Sequence, residues 1–206
     1  MADFSFVYTK PPFGNGGALE SVRHLVEKEP FILVWSDELI VSKRKPRASQ
    51  VMETFEKYGK PVISAIKIED LKMRSRYGMA ELKDIPGETE IKEILKIVEK
   101  PKDIVGLSEY ATHGLYALTP DVFKALDKTP IGENGELWLT DILNVMQKET
   151  GLMAKIISDG VYLDCGDPLS YLYSQIEYFL TFSPDAMEVN SYLKKKISTR
   201  YGIGQS

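Results

Sequence analysis

Between Phe4 and Ile68 two hydrophobic periodicities alternate, and that alternation restricts the chain to few folds. Phe4–Thr9 reads as a strand, Ala18–Val26 as a helix with Leu19, Val22, Leu25 and Val26 on one face, and Pro30–Ser36 as a strand. A helix over Ala48–Tyr58 and a β-branched strand over Pro61–Ile68 follow. Strand–helix–strand–helix–strand predicts an α/β layer on a parallel sheet. The run Pro-Phe-Ile-Leu-Val-Trp-Ser is almost continuously apolar, as suits a parallel strand covered on both faces. It stops at Asp37-Glu38. In open α/β sheets ligands bind outside the carboxyl ends of strands, so Asp37 is expected to face a ligand crevice. The alternative is that Asp37 or Glu38 only caps the following turn.

The middle of the chain changes character. Tyr77–Leu82, Ile91–Glu99 and Tyr110–Leu118 are strand-like and joined by turns such as Asp84-Ile85-Pro86-Gly87. Thr119 is expected to cap a short helix that has Pro120 at its first position. Leu139–Lys148 has a helical face of Leu139, Ile142, Leu143 and Met146. Short strands at Met153–Ile157 and Val161–Leu163 precede helices over Pro168–Leu180 and Pro184–Ile197, with a frayed tail from Thr199. The expected organisation is one domain over 1–183 followed by a C-terminal helix and tail over 184–206.

Bulk properties remove several functions. A net charge of −4 over 206 residues offers no electrostatic footprint for nucleic acid. No apolar stretch is long enough to span a membrane, and the first residues carry no secretory pattern, so a cytoplasmic location is expected. One cysteine, Cys165, admits no internal disulfide. Two histidines and that cysteine make a poor zinc set, so a metal here would be a hard ion held by carboxylates.

Four constellations could carry chemistry. Phe13-Gly14-Asn15-Gly16-Gly17-Ala18 joins a strand to a helix; its glycines would let backbone approach a ligand, or would simply make a tight turn. Val98-Glu99-Lys100-Pro101 ends a strand, with Pro101 predicted to hold Lys100 extended. Glu99 could accept from sugar hydroxyls and Lys100 could neutralise a phosphate. Tyr162-Leu163-Asp164-Cys165-Gly166 places another acid at a strand end, while Asp167-Pro168 reads as a helix cap. Gly78 opens a strand, where a missing side chain could admit a ligand ring or mark a bulge. His113 reads as a strand-face residue rather than a catalytic base, and no serine or cysteine nucleophile motif occurs.

In order, Gly14-Asn15-Gly16-Gly17-Ala18, Asp37, Tyr77-Gly78, Val98-Glu99-Lys100-Pro101, Gly114-Leu115-Tyr116, Glu136-Leu137-Trp138-Leu139-Thr140-Asp141 and Asp164-Cys165-Gly166 resemble the bacterial UTP–glucose-1-phosphate uridylyltransferases. These are the UDP-glucose pyrophosphorylases of the sugar-nucleotidyltransferase superfamily. The resemblance runs from about Phe4 to Leu180. It implies a Rossmann-like, three-layer α/β fold on a mixed sheet, of the glycosyltransferase-A-like kind. It implies nucleotide contacts from Thr9, Gly14, Gly16 and Gly17, and sugar contacts from Gly78, Glu99, Thr112 and His113. It further implies Mg²⁺ held by Asp37 and Asp164, and catalytic roles for Lys100 and Asp37. The implied substrates are UTP and glucose 1-phosphate.

The chain also departs from the family. Thr9 stands where the family has glutamine and Gly17 where it has histidine, which leaves a dTTP-dependent enzyme as an alternative. The family's Gly-x-Gly-Thr-Arg loop and its Lys-Glu-Met-Leu-Pro segment occur nowhere, so the resemblance implies a sheet incomplete at its N-terminal side. Little turnover by this chain alone is then expected, together with a homo-oligomer or a complementary N-terminal segment as partner. A non-catalytic nucleotide-sugar-binding or subunit-interaction protein is the remaining reading.

Overall fold

A computed structural model describes residues 3–26, 28–132 and 135–202. Along the chain these form α1 (Asn15–Ser21), α2 (Arg23–Val26), β1 (Phe31–Val34), β2 (Glu38–Ser42), α3 (Arg47–Tyr58), β3 (Val62–Lys67), α4 (Leu71–Arg74), β4 (Gly78–Asp84), β5 (Ile91–Glu99), β6 (Tyr110–Leu118), α5 (Asp121–Lys128), α6 (Leu139–Thr150), β7 (Met153–Ile156), β8 (Gly160–Asp164), α7 (Pro168–Phe182) and α8 (Ala186–Tyr201). They group into two compact units, one drawn from Met1–Trp35 and Ser42–Gly160, the other from Ser36–Val41 and Val161–Ser206.

The first unit is built on a six-stranded sheet in the order β1-β6-β3-β7-β5-β4, with β4 also reaching β6. Period-two alternation divides its side chains between two cores. Ile63, Ala65, Tyr116, Leu118, Ala154 and Ile156 pack with Leu19 of α1, Val122 and Phe123 of α5, and Ile142, Leu143 and Met146 of α6. Their neighbours Val62, Leu115, Ala117 and Met153 face the other way, against Val51, Met52 and Phe55 of α3. Helices on both faces of a mixed sheet make the three-layer α/β arrangement that the motifs implied.

Several expectations change. β3–β7 is parallel, but β1–β6, β3–β6, β4–β5, β4–β6 and β5–β7 are antiparallel. The early strand–helix rhythm predicted direction correctly and adjacency wrongly. β1 and β3 run the same way, yet β6 lies between them and opposes both. β1 therefore bonds to one described neighbour, and Ile32 and Val34 are exposed, so it is not covered on both faces. Phe4–Thr9 forms no strand: Phe4, Phe6 and Tyr8 are exposed, and a strand pattern without a pairing edge has nothing to hold it. α5 begins at Asp121, one residue beyond the expected first position, so Pro120 rather than Thr119 stands at the cap, and the Thr119 hydroxyl bonds to the Asp121 carboxylate. Helical structure near the glycine loop starts already at Asn15.

In the second unit β2 and β8 form a two-stranded sheet, and α7 and α8 pack on each other. β2 is a strand that periodicity had not shown. Asp167 caps α7 as expected, accepting from the amides of Leu169 and Ser170 ahead of Pro168. α8 continues to Tyr201 where a frayed tail was expected; the rest of that tail, 203–206, lies outside the described residues. Among the described residues no helix is long and apolar enough to cross a membrane.

Candidate active site

The glycine loop is held against the approach to α6. Gly16 donates its amide to the Leu137 carbonyl at 2.8 Å, and Leu137 donates to the Phe13 carbonyl at 2.8 Å. The side-chain oxygen of Asn15 accepts from the Leu139 amide at 2.7 Å, so one loop residue caps the start of α6. Glycine is demanded here by the chain's own backbone. A Cβ on Gly14 would lie 2.6 Å from the Leu137 oxygen, one on Gly16 2.8 Å from the same atom, and one on Gly17 1.9 Å from the Pro12 oxygen. Gly14 also has φ of 94°, open to glycine and strained for other residues. Thr9 is exposed and precedes Lys10, whose carbonyl is 4.0 Å from the Gly17 Cβ position.

A second group forms where β4, β5 and β6 meet. Gly78 pairs with Glu99 on one side and Thr112 on the other. Its missing side chain leaves space bounded by Thr112 Oγ1 at 3.1 Å and Glu99 Oε2 at 3.2 Å. Glu99 is exposed, and its Oε2 accepts from Thr140 Oγ1 at 3.0 Å. Thr140 is the second residue of α6, adjacent to the Leu139 amide that Asn15 caps, so the glycine loop and the Glu99 group share one helix start. Lys100 has φ of 43°, a correction to its expected extended form. Its amide bonds the Tyr77 carbonyl at 3.1 Å, and this tertiary bond overrides the local preference set by Pro101. The Lys100 ammonium stands 6.0 Å from the Trp138 ring centroid, a cation–π approach. His113 is buried, with 1% of its surface exposed, and packs edge-to-face on Tyr77 at 4.9 Å. It is thus an interior residue of β6, in keeping with its reading as a strand residue rather than a base.

In the second unit, Asp37 and Asp164 come together around Gly166. The Cβ position of Gly166 is 3.2 Å from Asp164 Oδ1 and 3.6 Å from Asp37 Oδ2. The Cys165 amide donates to the Asp37 carbonyl at 2.9 Å, tying the two strand ends together. The Gly166 amide donates to Asp164 Oδ1 at 2.9 Å, so Asp164 also makes a turn, a role that the sequence suggested for Asp37 and Glu38 but not for this acid. Two carboxylates converging on one small space, with a glycine between them, suit a hard divalent cation. Among the described residues no cluster of three or more acidic, histidine or cysteine side chains is present. A cation here would therefore complete its shell from water or a phosphate, as Mg²⁺ commonly does.

Asn144 escaped the sequence reading, while Trp138 and Thr140 entered it only as part of a motif, without roles. All three have roles set by contacts with β5 and the Lys100 that follows it rather than by any local pattern. The one available signal was a polar pair at helical spacing, Thr140 and Asn144, beside an apolar face.

Residues 3–179 match the family model described as nucleotidyl transferase. A Staphylococcus saprophyticus UTP–glucose-1-phosphate uridylyltransferase is 31% identical over 196 residues, which cover 95% of this chain and 66% of that protein. A second such protein of the same organism is 28% identical over 96% of this chain and 64% of its own length. The chain thus spans slightly less than two thirds of these relatives. A crystal structure of a UDP-glucose pyrophosphorylase complexed with UDP-glucose superposes with a TM-score of 0.76 at 30% identity, covering 93% of this chain and 66% of that one. A pyrophosphorylase from Acinetobacter baumannii, at 24% identity and a TM-score of 0.79, shares the fold. With its three-layer sheet, its glycine loop and a family match over most of its length, the chain belongs to the nucleotidyl transferase family.

Proposed function

We propose that this chain carries the sugar-binding and metal-binding parts of a UTP–glucose-1-phosphate uridylyltransferase. The observation that supports this most directly is the Gly78 cradle. The glycine lets the Glu99 carboxylate and the Thr112 hydroxyl come within 3.2 and 3.1 Å of where a Cβ would stand, so the two polar groups converge there, with Lys100 next in sequence. A carboxylate and a hydroxyl suit the hydroxyls of a hexose, and a lysine at a strand end suits its phosphate.

In the proposed reaction an oxygen of the glucose 1-phosphate group attacks the α-phosphorus of UTP. A new P–O bond forms, the bond to the leaving pyrophosphate breaks, and UDP-glucose results. Such chemistry needs in-line positioning and charge neutralisation more than a protein nucleophile. Glu99 and Thr112 would orient the sugar, and Lys100 would hold the sugar phosphate against its own charge repulsion with the triphosphate. Gly14, Gly16 and Gly17 would place the loop's backbone beside the nucleotide. Bound Mg²⁺, with Asp37 and Asp164 as its protein ligands, would neutralise phosphate charge.

The test is calorimetric titration of the chain with UDP-glucose, dTDP-glucose and GDP-mannose, each with and without Mg²⁺. UDP-glucose should bind most tightly and need Mg²⁺, and Asp37→Asn and Asp164→Asn should each remove that Mg²⁺ dependence. Equal binding of all three, or none, overturns the assignment. Tighter binding of dTDP-glucose moves it to a thymidylyltransferase.

A further inference from the structure

The Glu99 carboxylate sits on a strand whose register is not secured by its ladder alone. β5 pairs with β4 from Lys92↔Asp84 through Glu99↔Gly78, but that pairing shifts between Glu81 and Leu82. Leu82 opposes Ile94 while Glu81 opposes Lys96, which leaves Leu95 as the extra residue of a bulge. The bulge lies between the well-paired start of β5 and the residues of the cradle. A one-residue slip beyond it would carry Glu99 to the other face of the sheet and bring Lys100 toward its place, because side chains alternate with a period of two.

The second edge of β5 gives that stretch little strand support. Among the described residues β7 reaches β5 only at Ile91, Lys92 and Glu93. The next amide, Ile94, still reaches the Leu152 carbonyl at 2.8 Å. At Ile97 a side chain takes over. Asn144 Oδ1 accepts from the Ile97 amide at 2.8 Å, and Asn144 Nδ2 donates to the Ile97 carbonyl at 2.8 Å. A carboxamide presents donor and acceptor much as a peptide unit does, so Asn144 acts as one residue of a substitute strand. The Ile97 side chain is 2% exposed, so this edge is poorly placed to exchange the bonds for water.

Asn144 and Thr140 are four residues apart on α6 and so lie on one face. Ile97 and Glu99 are two apart on β5 and project to the same side. The helix therefore grips the strand twice: at the Ile97 backbone through Asn144, and at the Glu99 carboxylate through Thr140 at 3.0 Å.

We propose that Asn144 is a positioning residue that pins the register of β5 beyond its bulge and so presents Glu99 and Lys100 to the sugar phosphate; the sugar half of this rests on the reading given under Proposed function. Asn144 itself touches no substrate. Its loss should appear in recognition of the sugar and leave recognition of the nucleotide intact.

The experiment uses the full chain with Asn144→Ala and Asn144→Asp, the latter keeping shape and the acceptor while losing the donor. UDP and UDP-glucose are titrated into each by calorimetry with Mg²⁺ present. In parallel, nuclear Overhauser contacts between Gly78 and Glu99 report the register without any ligand. Asn144→Ala should weaken UDP-glucose about tenfold, as loss of well-placed polar contacts does, with UDP changed less than about twofold. Asn144→Asp sets a carboxylate oxygen against the Ile97 carbonyl where the donor stood, so it should weaken UDP-glucose at least as much, and it serves alone if the alanine variant does not fold. The Gly78–Glu99 contacts should weaken in the same order. Equal losses for UDP and UDP-glucose, or Gly78–Glu99 contacts unchanged in both variants, overturn the register role. Failure of the unsubstituted chain to bind either ligand overturns the nucleotide-sugar reading instead, and the contacts then judge the register role by themselves.

Discussion

Glu90 offers a test of how the sheet is tied together at the start of β5. Its carboxylate accepts from Lys155 at 2.8 Å, from Arg44 at 3.0 Å and from the Ser158 hydroxyl. Its backbone carbonyl accepts from the Ile156 amide at 2.7 Å. The Lys155 ammonium, the Ser158 hydroxyl and the Arg44 guanidinium hold this carboxyl well below the usual value of 4.5, at about 2, against the opposing effect of burial. Taken at face value, a depression of that size is worth about 3 kcal/mol at 1.36 kcal/mol per unit. The Arg44 side chain is 61% exposed and that of Glu90 26%, so solvent screens much of it, and about 1–2 kcal/mol is the expected net contribution. Because the folded-state value is depressed, this stability is fully present above about pH 4.5 and is lost as pH falls toward 2. Glu90→Gln keeps the shape and one acceptor but removes the charge, leaving Lys155, whose side chain is 12% exposed, beside a neutral partner. The variant should therefore lose about 1–2 kcal/mol at pH 7 and should match the unsubstituted chain near pH 2, where Glu90 is itself becoming neutral. Urea unfolding followed by tryptophan fluorescence suits the measurement, since Trp35 and Trp138 both belong to the first unit. A difference that stays constant from pH 7 to pH 2.5 would show that packing, and not charge, ties Glu90 to β7.

Three further outcomes check the site. Gly17→Ala should lower the melting temperature by several degrees in calorimetry. Its Cβ would lie 1.9 Å from a backbone oxygen, and the overpacking cost of about 1–3 kcal/mol exceeds the gain of about 1 kcal/mol from alanine's helix propensity; an unchanged melting temperature refutes the close approach. Gly78→Ala must push on Thr112 Oγ1 at 3.1 Å and Glu99 Oε2 at 3.2 Å, so UDP-glucose affinity should fall about tenfold while urea stability moves by less than about 0.5 kcal/mol. Matched losses of both would make Gly78 a purely structural glycine. Trp138→Leu removes the ring 6.0 Å from the Lys100 ammonium, and a loss of about 0.5–1 kcal/mol, or roughly two- to fivefold, is expected in glucose 1-phosphate binding by calorimetry. An unaltered affinity shows that Lys100 needs no such seat.

What could be read from the sequence divides along a physical line. β5 and β6 have the bounds that their patterns predicted, because each is a long segment whose burial follows from its own residues. Which strands lie side by side depends on partners far along the chain. Phe31 opposes Leu118 and Val62 opposes Ala117, so the strand that separates β1 from β3 arrives after both have been written. The same limit applies at the site. Glycine at 14, 16 and 17 was legible as a loop, but the atoms that exclude a side chain belong to Leu137 and Pro12. Proline at 101 predicted an extended Lys100, and a bond to the Tyr77 carbonyl gives it φ of 43°. Asn144 drew no reading from the sequence, since nothing local marks Ile97 as lacking a strand partner. The ordered motifs succeeded because they record which residues occur together, even where the contact linking them spans the chain. They name Glu99 and Lys100, and Thr140 that donates to the Glu99 carboxylate, but are silent on Asn144, the α6 residue that holds the Ile97 backbone beyond the bulge at Leu95. The carboxylate and the bonds that support its strand therefore lie on different segments, so a change at Asn144 in α6 bears on the placement of Glu99 while every motif residue stays as it is.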